Sequence, residues 1–216
     1  MATIVTKPKR GRPKTIPDAE RRARIVAAAE KLFIQKGYGG TSTMEIASVC
    51  KISKQTLYRI FPGKLELFAA VIDAHRSRML DLGDGHDELP LDEALASIFM
   101  IDIDQRAYRV RAAFLRAVNM ESMQYPKLRE VLRRHGGGKS RALLREWLDR
   151  QCRIRGLVIA DTGSAAHMLM DMFLGAVIFD AIGGFGWESA EQRIAHFRQC
   201  IAIFLNGVVP REAVGG

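Results

Sequence analysis

Between Lys54 and Arg59 lie five side chains suited to meeting nucleic acid: Lys54, Gln55, Thr56, Tyr58 and Arg59 surround one apolar anchor, Leu57. Amide and cationic groups of this kind make paired hydrogen bonds to base edges in a major groove, and a Thr methyl suits a thymine methyl. Lys64 opens the next helical stretch, where its ammonium and the free backbone N–H groups together would hold a phosphate. A second basic element comes earlier, Lys7-Pro8-Lys9-Arg10-Gly11-Arg12-Pro13-Lys14, and its Arg-Gly-Arg-Pro centre has the form of an AT-hook. Gly permits close approach and Pro keeps the strand extended, so Arg10 and Arg12 would enter a narrow A·T-rich minor groove. A solvated basic tail accounts for the arm equally well, and any short polar helix carries some of the residue types in the first set.

Turn signals frame the reading stretch. Ser42-Thr43-Met44-Glu45 has the form of a capping box that opens a short helix through Cys50. Ser53 caps a second short helix from Lys54 to Phe61, and Pro62-Gly63 ends it. Two short helices joined by a tight turn have the lengths of a helix-turn-helix. Ahead of them, Ile25, Ala28, Ala29, Leu32 and Phe33 mark one buried face of a helix running from Pro17 and Asp18 to Gly37. Behind them a longer helix runs from Lys64 toward Leu82. The 216 residues are 48% hydrophobic and 26% charged, a globular composition that excludes a disordered tail or a fibre. The formal charge of +9 sits at the front: residues 1–80 hold 16 basic and 6 acidic side chains, residues 81–216 hold 17 and 18. One part is built to meet a polyanion and the other is not.

The run from Arg24 through Phe68 resembles the N-terminal domain of TetR/AcrR-type transcriptional regulators. The resemblance is carried by Ile25, Ala28, Ala29, Leu32-Phe33, Gly37-Tyr38, Thr41, Ile46-Ala47, Ser53, Thr56-Leu57-Tyr58, Phe61, Lys64 and Glu66-Leu67-Phe68. It implies that Tyr58 and Lys64 contact phosphates, that Thr43 supports the first reading helix on the backbone, and that Lys54, Gln55, Thr56 and Arg59 face the groove. It also implies an all-α fold in which a helix-turn-helix domain is followed by a helical bundle that binds a small effector and dimerises. The expected division is a basic arm over 1–16, the DNA-binding domain over 17–63, a connecting helix over 64–82, the effector and dimerisation domain over 83–209, and a tail over 210–216. Two positions depart from the family pattern. Cys50-Lys51 stands where Ala-Gly is usual, so a Lys occupies a turn position that favours φ > 0. Ile60 replaces an aromatic residue or His, which removes one phosphate contact.

The back half is argued from its own residues. Gly83 to Pro90 is a polar connector, followed by helices near Leu91–Ile103, Gln105–Ser122, Pro126–Arg134, Lys139–Gly156, Thr162–Ile182 and Ser189–Asn206. On the last of these, Ile194, Phe197, Ile201, Phe204 and Val208 follow 3-4 spacing, and Leu169, Met172, Ala176 and Phe179 line the preceding one. These residues are the expected homodimer interface, packing within the chain being the alternative. Phe99, Met100, Phe114, Met120, Met123, Trp147, Met168 and Phe173 are the expected lining of a pocket for a small apolar effector, since Met and aromatic side chains adapt to irregular ligands. Ordinary core filling explains any one of them as well.

Catalytic and metal chemistry find no support. Gly136-Gly137-Gly138-Lys139-Ser140 ends like a phosphate loop, but Arg133 stands where the first Gly is required and no strand precedes it. The five His are scattered, with no pair at i, i+4. Cys50, Cys152 and Cys200 have neither disulfide nor zinc spacing, which fits a reducing cytoplasm. Cys50 is either a redox switch beside the reader or a small packing residue. No secretory signal opens the chain. Ala165 to Ile182 is interrupted by His167, Asp171 and Asp180, so it reads as core and not as a membrane span. The expectation is a non-enzymatic cytoplasmic regulator, a repressor that binds double-stranded DNA, with no cofactor. The alternatives are an architectural A·T-binding protein whose back half only dimerises and, with no catalytic constellation behind it, a helical small-molecule enzyme.

Overall fold

A computed structural model describes residues 17–83, 85–181 and 187–208, and it is all-α over them, as the sequence implies. Ten helices are described: α1 Asp18–Gly40, α2 Thr43–Val49, α3 Lys54–Ile60, α4 Lys64–Ser77, α5 Leu91–Ile98, α6 Gln105–Gln124, α7 Pro126–His135, α8 Gly137–Arg155, α9 Thr162–Ala181 and α10 Ala190–Val208. None of them is long and apolar enough to cross a membrane. Leu157-Val158-Ile159, an apolar run of β-branched character, forms no strand and follows Gly156, whose φ of 67° ends α8. Arg10 and Arg12 lie outside the described residues.

Local chemistry sets most boundaries. Ser42 Oγ accepts from the Glu45 N–H at 3.1 Å and Ser53 Oγ from the Thr56 N–H at 3.1 Å, so both reader helices begin where an N-cap hydroxyl is available. Gly37 breaks α1 with φ 73°, and Thr41, buried behind it, donates to the Gly37 and Leu32 carbonyls at 2.8 and 3.2 Å. Two boundaries differ from expectation because tertiary contacts set them. α4 stops at Ser77, short of Leu82, and the chain turns so that the Asp81 N–H reaches the Ile98 carbonyl at 2.8 Å. α5 stops at Ile98, short of Ile103, and Met100 follows in the left-handed region at φ 50°. The connector is pinned to α8 through Asp87, which accepts from Arg150 and from Gln151, both at 2.6 Å.

Two apolar cores result, and they do not coincide with the expected domains. The first gathers Ile25, Ala29, Phe33, Ile46, Leu57, Leu67 and Phe68 from α1 to α4, and is completed by Phe114 and Val118 of α6 and Leu128 and Val131 of α7. The second joins Leu95, Ile98 and Phe99 to Leu144, Trp147, Leu169, Phe173, Phe197 and Ile201. α6 therefore belongs to both halves, its Phe114 ring stacked at 3.8 Å on His75 of α4.

Polar straps run beside the shared core. Arg78, the C-cap of α4, donates to both oxygens of Glu30 on α1 at 2.6 and 2.7 Å, and His75 Nδ1 lies 3.5 Å from the same carboxylate. Burial pushes the Glu30 carboxyl up, but His75 and Arg78 outweigh it and hold the group below the usual range. Burial pulls the His75 imidazole down, and Glu30 restores only part of that fall. On α6, Glu121 accepts from the Gly39 N–H at 3.2 Å.

Both His75 and Glu30 titrate lower in the folded state, so the unfolded chain binds more protons below pH of about 6.5 for His75 and about 4.3 for Glu30. Acidification lowers stability through both windows. Urea unfolding free energy should fall between about pH 7.5 and about pH 5.5, and His75→Gln should flatten that slope; an unchanged slope would assign it to other groups. In the reader turn, Lys51 holds φ 54°, the left-handed region that the family fills with Gly. Lys51→Gly should raise stability by about 0.5–1 kcal/mol and Lys51→Val should lower it by about 1–2 kcal/mol in the same assay. The reverse order would mean that the turn relaxes in solution.

Candidate nucleic-acid interface and effector cavities

α2, the turn and α3 present the reader. The turn is closed by the Ile52 N–H on the Ala47 carbonyl at 3.0 Å, and Leu57, 1% exposed, anchors α3 in the first core. With that one side chain buried, Lys54, Gln55, Tyr58 and Arg59 are exposed. Thr56 is half-buried and its hydroxyl lies 2.8 Å from Ser53 Oγ, so its oxygen is engaged at the helix cap. Thr43 Oγ1 and the Tyr58 hydroxyl lie 3.2 Å apart, which puts the two expected backbone contacts at one place, from α2 and α3. The Lys54 ammonium stands 5.6 Å from the Tyr58 ring centroid.

Two cations are already engaged. Arg59 grips Asp18 of α1 with two hydrogen bonds of 2.9 and 3.0 Å, and Arg21 joins it at 2.8 Å; the Arg59 bonds hold the Asp18 carboxyl below its usual range. Lys64 sits half-buried with its ammonium 4.2 Å from the Tyr38 ring centroid, and burial pulls its pKa down against the opposing pull of Glu121. Tyr38 is itself packed edge-on to Phe68 and Tyr125 at 5.3 and 5.6 Å. The start of α4 is thus set on an aromatic platform shared with the end of α6. Cys50 is half-buried and burial raises its thiol, which favours the packing reading over a reactive thiolate.

Two apolar cavities lie behind the reader. One, a narrow crevice of about 20 Å³, is lined by Phe99, Met100 and Phe173 with Ile101, Tyr108, Val177 and Phe197, and has Arg111 and Arg193 on its wall. The other, of about 70 Å³, is lined by Phe114, His75, Leu115, Val118, Leu132 and Met170. Met79, Leu80 and Leu174 line both and form the partition between them. Four of the eight expected effector residues, Phe99, Met100, Phe114 and Phe173, therefore face a cavity. The other four require correction. Met120, Met123 and Met168 are 58%, 71% and 60% exposed, because they lie on the outward faces of α6 and α9. Trp147 is buried in the second core and lines neither cavity. Among the described residues no cluster of His, Cys, Asp or Glu could hold a metal ion.

The expected dimer seam also needs correction. Leu169, Phe197 and Ile201 are buried within the chain, and Phe197 stacks on Phe173 at 4.8 Å. Met172, Ala176, Ile194 and Phe204 are half-buried against the second core, and the side chain of Phe179 lies outside the described residues. The 3-4 spacing marked the inward face of α10. Its outward face carries Ile203, 61% exposed, as the outward face of α9 carries Met168.

Sequence reasoning missed Arg111 and Arg193, although one signal was present. Arg193, Phe197 and Ile201 are spaced i, i+4, i+8, which sets a charge on a buried stripe. Arg193 is 1% exposed, donates to the Ile101 carbonyl at 2.8 Å and to that of Ile103, and lies 4.6 Å from the Tyr108 ring centroid.

Residues 25–71 match the family model of the bacterial regulatory proteins of the tetR family, and residues 104–207 match that of the AefR-like transcriptional repressor C-terminal domain. The HTH-type transcriptional activator FasR of Mycolicibacterium smegmatis is 39% identical over 64 residues, which span 30% of this chain and 29% of FasR. The HTH-type transcriptional regulator Rv1556 of Mycobacterium tuberculosis is 27% identical over 170 residues, 77% of this chain and 78% of that protein. The solved structure of the flavonoid-responsive regulator FrrA superposes with a TM-score of 0.64 at 26% identity, covering 90% of this chain and all of that one. With both matched segments placed on the two ends of one fold, the chain belongs to the TetR family of transcriptional regulators.

Proposed function

We propose that this protein is a cytoplasmic repressor that binds an inverted-repeat operator as a homodimer and is released by a small effector held among the apolar residues behind the reader. The observation that carries this reading is the sharing of α6: its Phe114 fills the reader's core and also lines a cavity. An effector that alters the cavity therefore moves a side chain on which the reader is packed. Repression is favoured over activation by the AefR-like repressor match across residues 104–207. The effector weakens operator binding only by as much as it prefers the non-binding state, typically ~1–3 kcal/mol of coupling.

Dimerisation enters because α3 spans only Lys54–Ile60 and reads one half-site; two copies related by a two-fold axis read an inverted repeat. The outward apolar side chains Met168 and Ile203, on the last two helices, are the surface given to a second copy.

Footprinting on the DNA flanking its own gene, with and without lipophilic compounds, tests the reading. A protected inverted repeat released by a compound supports it; diffuse A·T-rich protection would favour the architectural alternative instead. Within the reader, Gln55→Ala or Lys54→Ala should change preference among operator variants by ~1–3 kcal/mol per lost bidentate contact. Lys64→Ala should weaken all sites alike and lower the salt slope by ~0.9. Base preference that follows Lys64 and ignores Lys54 and Gln55 would reverse the assigned roles. For the pairing surface, Ile203→Glu should sediment as a folded monomer whose affinity for the full repeat drops to that for a half-site. Phe197→Ala should instead cost ~3–5 kcal/mol of stability, as a core truncation does. A dimeric Ile203→Glu protein would place the interface elsewhere.

A further inference from the structure

The cavity beside α10 is apolar on most sides, yet Arg111 stands on its wall half-buried and without an acid. Its guanidinium donates to the Arg78 carbonyl at 2.5 Å and to the Met100 sulfur at 3.8 Å, and no Asp or Glu of the described residues pairs with it. Burial, and then the charges of Arg193 and Arg78, pull the Arg111 pKa down to about 10. A half-buried cation beside two others is disfavoured by partial desolvation and by like charge, and an anion that joined it would relieve both.

The approach from solvent repeats that sign. Arg111 also borders an open vestibule of about 310 Å³, whose other cations are Arg78 and Arg106. The two acids there are engaged: Glu30 is held by Arg78, and Asp104 caps α6 by accepting from the Ala107 N–H at 2.8 Å. Inward of Arg111 the walls are Phe99 stacked on Phe173 at 3.8 Å, then Met79, Leu80 and Leu174, which lead into the second cavity. A cationic mouth thus opens on an apolar interior, with the flexible Met79 side chain at the partition.

We propose that the effector is an amphiphilic anion, an apolar chain or ring system ended by a carboxylate or sulfate head, with the head on Arg111 and the body between the two cavities. This rests on the effector-release reading and adds a means of transmission. An anion that takes Arg111 withdraws a donor from the carbonyl that ends α4, and competes for Arg78, which otherwise grips Glu30 on α1. The head group is therefore read at the joint between reader and bundle.

Four probes of equal chain length separate charge from apolarity: decanoate, decyl sulfate, decanol and decyltrimethylammonium. Calorimetric titration of the full chain should give binding for the two anions, at least roughly tenfold tighter than for decanol, and none for the cation. Arg111→Gln should fold, since it removes a desolvated charge, and lose roughly tenfold or more of decanoate affinity while decanol is unaffected; Arg111→Lys should recover part of it. Decanol bound as tightly as decanoate, full decanoate affinity in Arg111→Gln, or no anion binding at millimolar concentration would each overturn the proposal. Operator titration with the same probes separates the two readings. Decanoate that binds through Arg111 but leaves the operator occupied would sink effector release and keep the anion site. A neutral compound that releases the operator equally well from Arg111→Gln would keep effector release and sink the anion head.

Discussion

The reader formed by α1 to α4 cannot close its own core. About sixty residues bury a smaller fraction of their surface than a full domain does, and here the gap is filled from outside by Phe114 and Val118 of α6 and by Leu128 and Val131 of α7. Close-packed interiors do not deform continuously, so a shift of α6 becomes either a shift of α3 or a lost contact. On the proposed effector release this packing is the linkage, and the Glu30–Arg78 pair and the Glu121 to Gly39 hydrogen bond add polar ties between the same elements. Both polar straps join α1, the helix on which the two reading helices rest, to elements that also meet the cavities.

The same economy explains the electrostatics of the bundle. The acids around the joint are engaged structurally: Asp87 pins the connector, Asp104 caps α6, and Glu30 of α1 holds α4. Arg111 is left with neutral partners at the edge of an apolar cavity, where it is more costly than on the surface. Arg193, buried beside it, satisfies carbonyls at the turn after α5 and so ties α10 to that turn.

The reader was legible because its signals are local. Ser42 and Ser53 announce the two helix starts, Leu57 is the buried apolar anchor of α3 with Ile60 packed partly beside it, and Lys51 marks a turn position whose positive φ the structure bears out. The ends of α4 and α5 were not legible, since the bond from Asp81 to Ile98 depends on residues seventeen positions apart. Apolar spacing on α10 identified a buried face without saying what buries it: Phe197 and Ile201 turn toward Phe173, and the outward Ile203 breaks no pattern. Methionine content was equally silent on direction, for Met120 and Met123 lie outside while Met79 and Met170 line cavities.

Net charge is a poor measure of what the front half offers to DNA. Arg59 is paired to Asp18, and Lys64 is stacked on Tyr38 and depressed by burial. A phosphate that reaches either must exchange one partner for another, so each contributes less than a free surface cation would. Lys54 and Gln55 have no such prior commitment to an acid among the described residues, and their gain on reaching a base edge is correspondingly larger. On the proposed roles, Lys64 would orient the reader from a position the fold already holds, and Lys54 and Gln55 would discriminate sequence from positions the fold leaves free of acids. That division follows from where α1 and α6 place Asp18 and Tyr38, ahead of any contact with DNA.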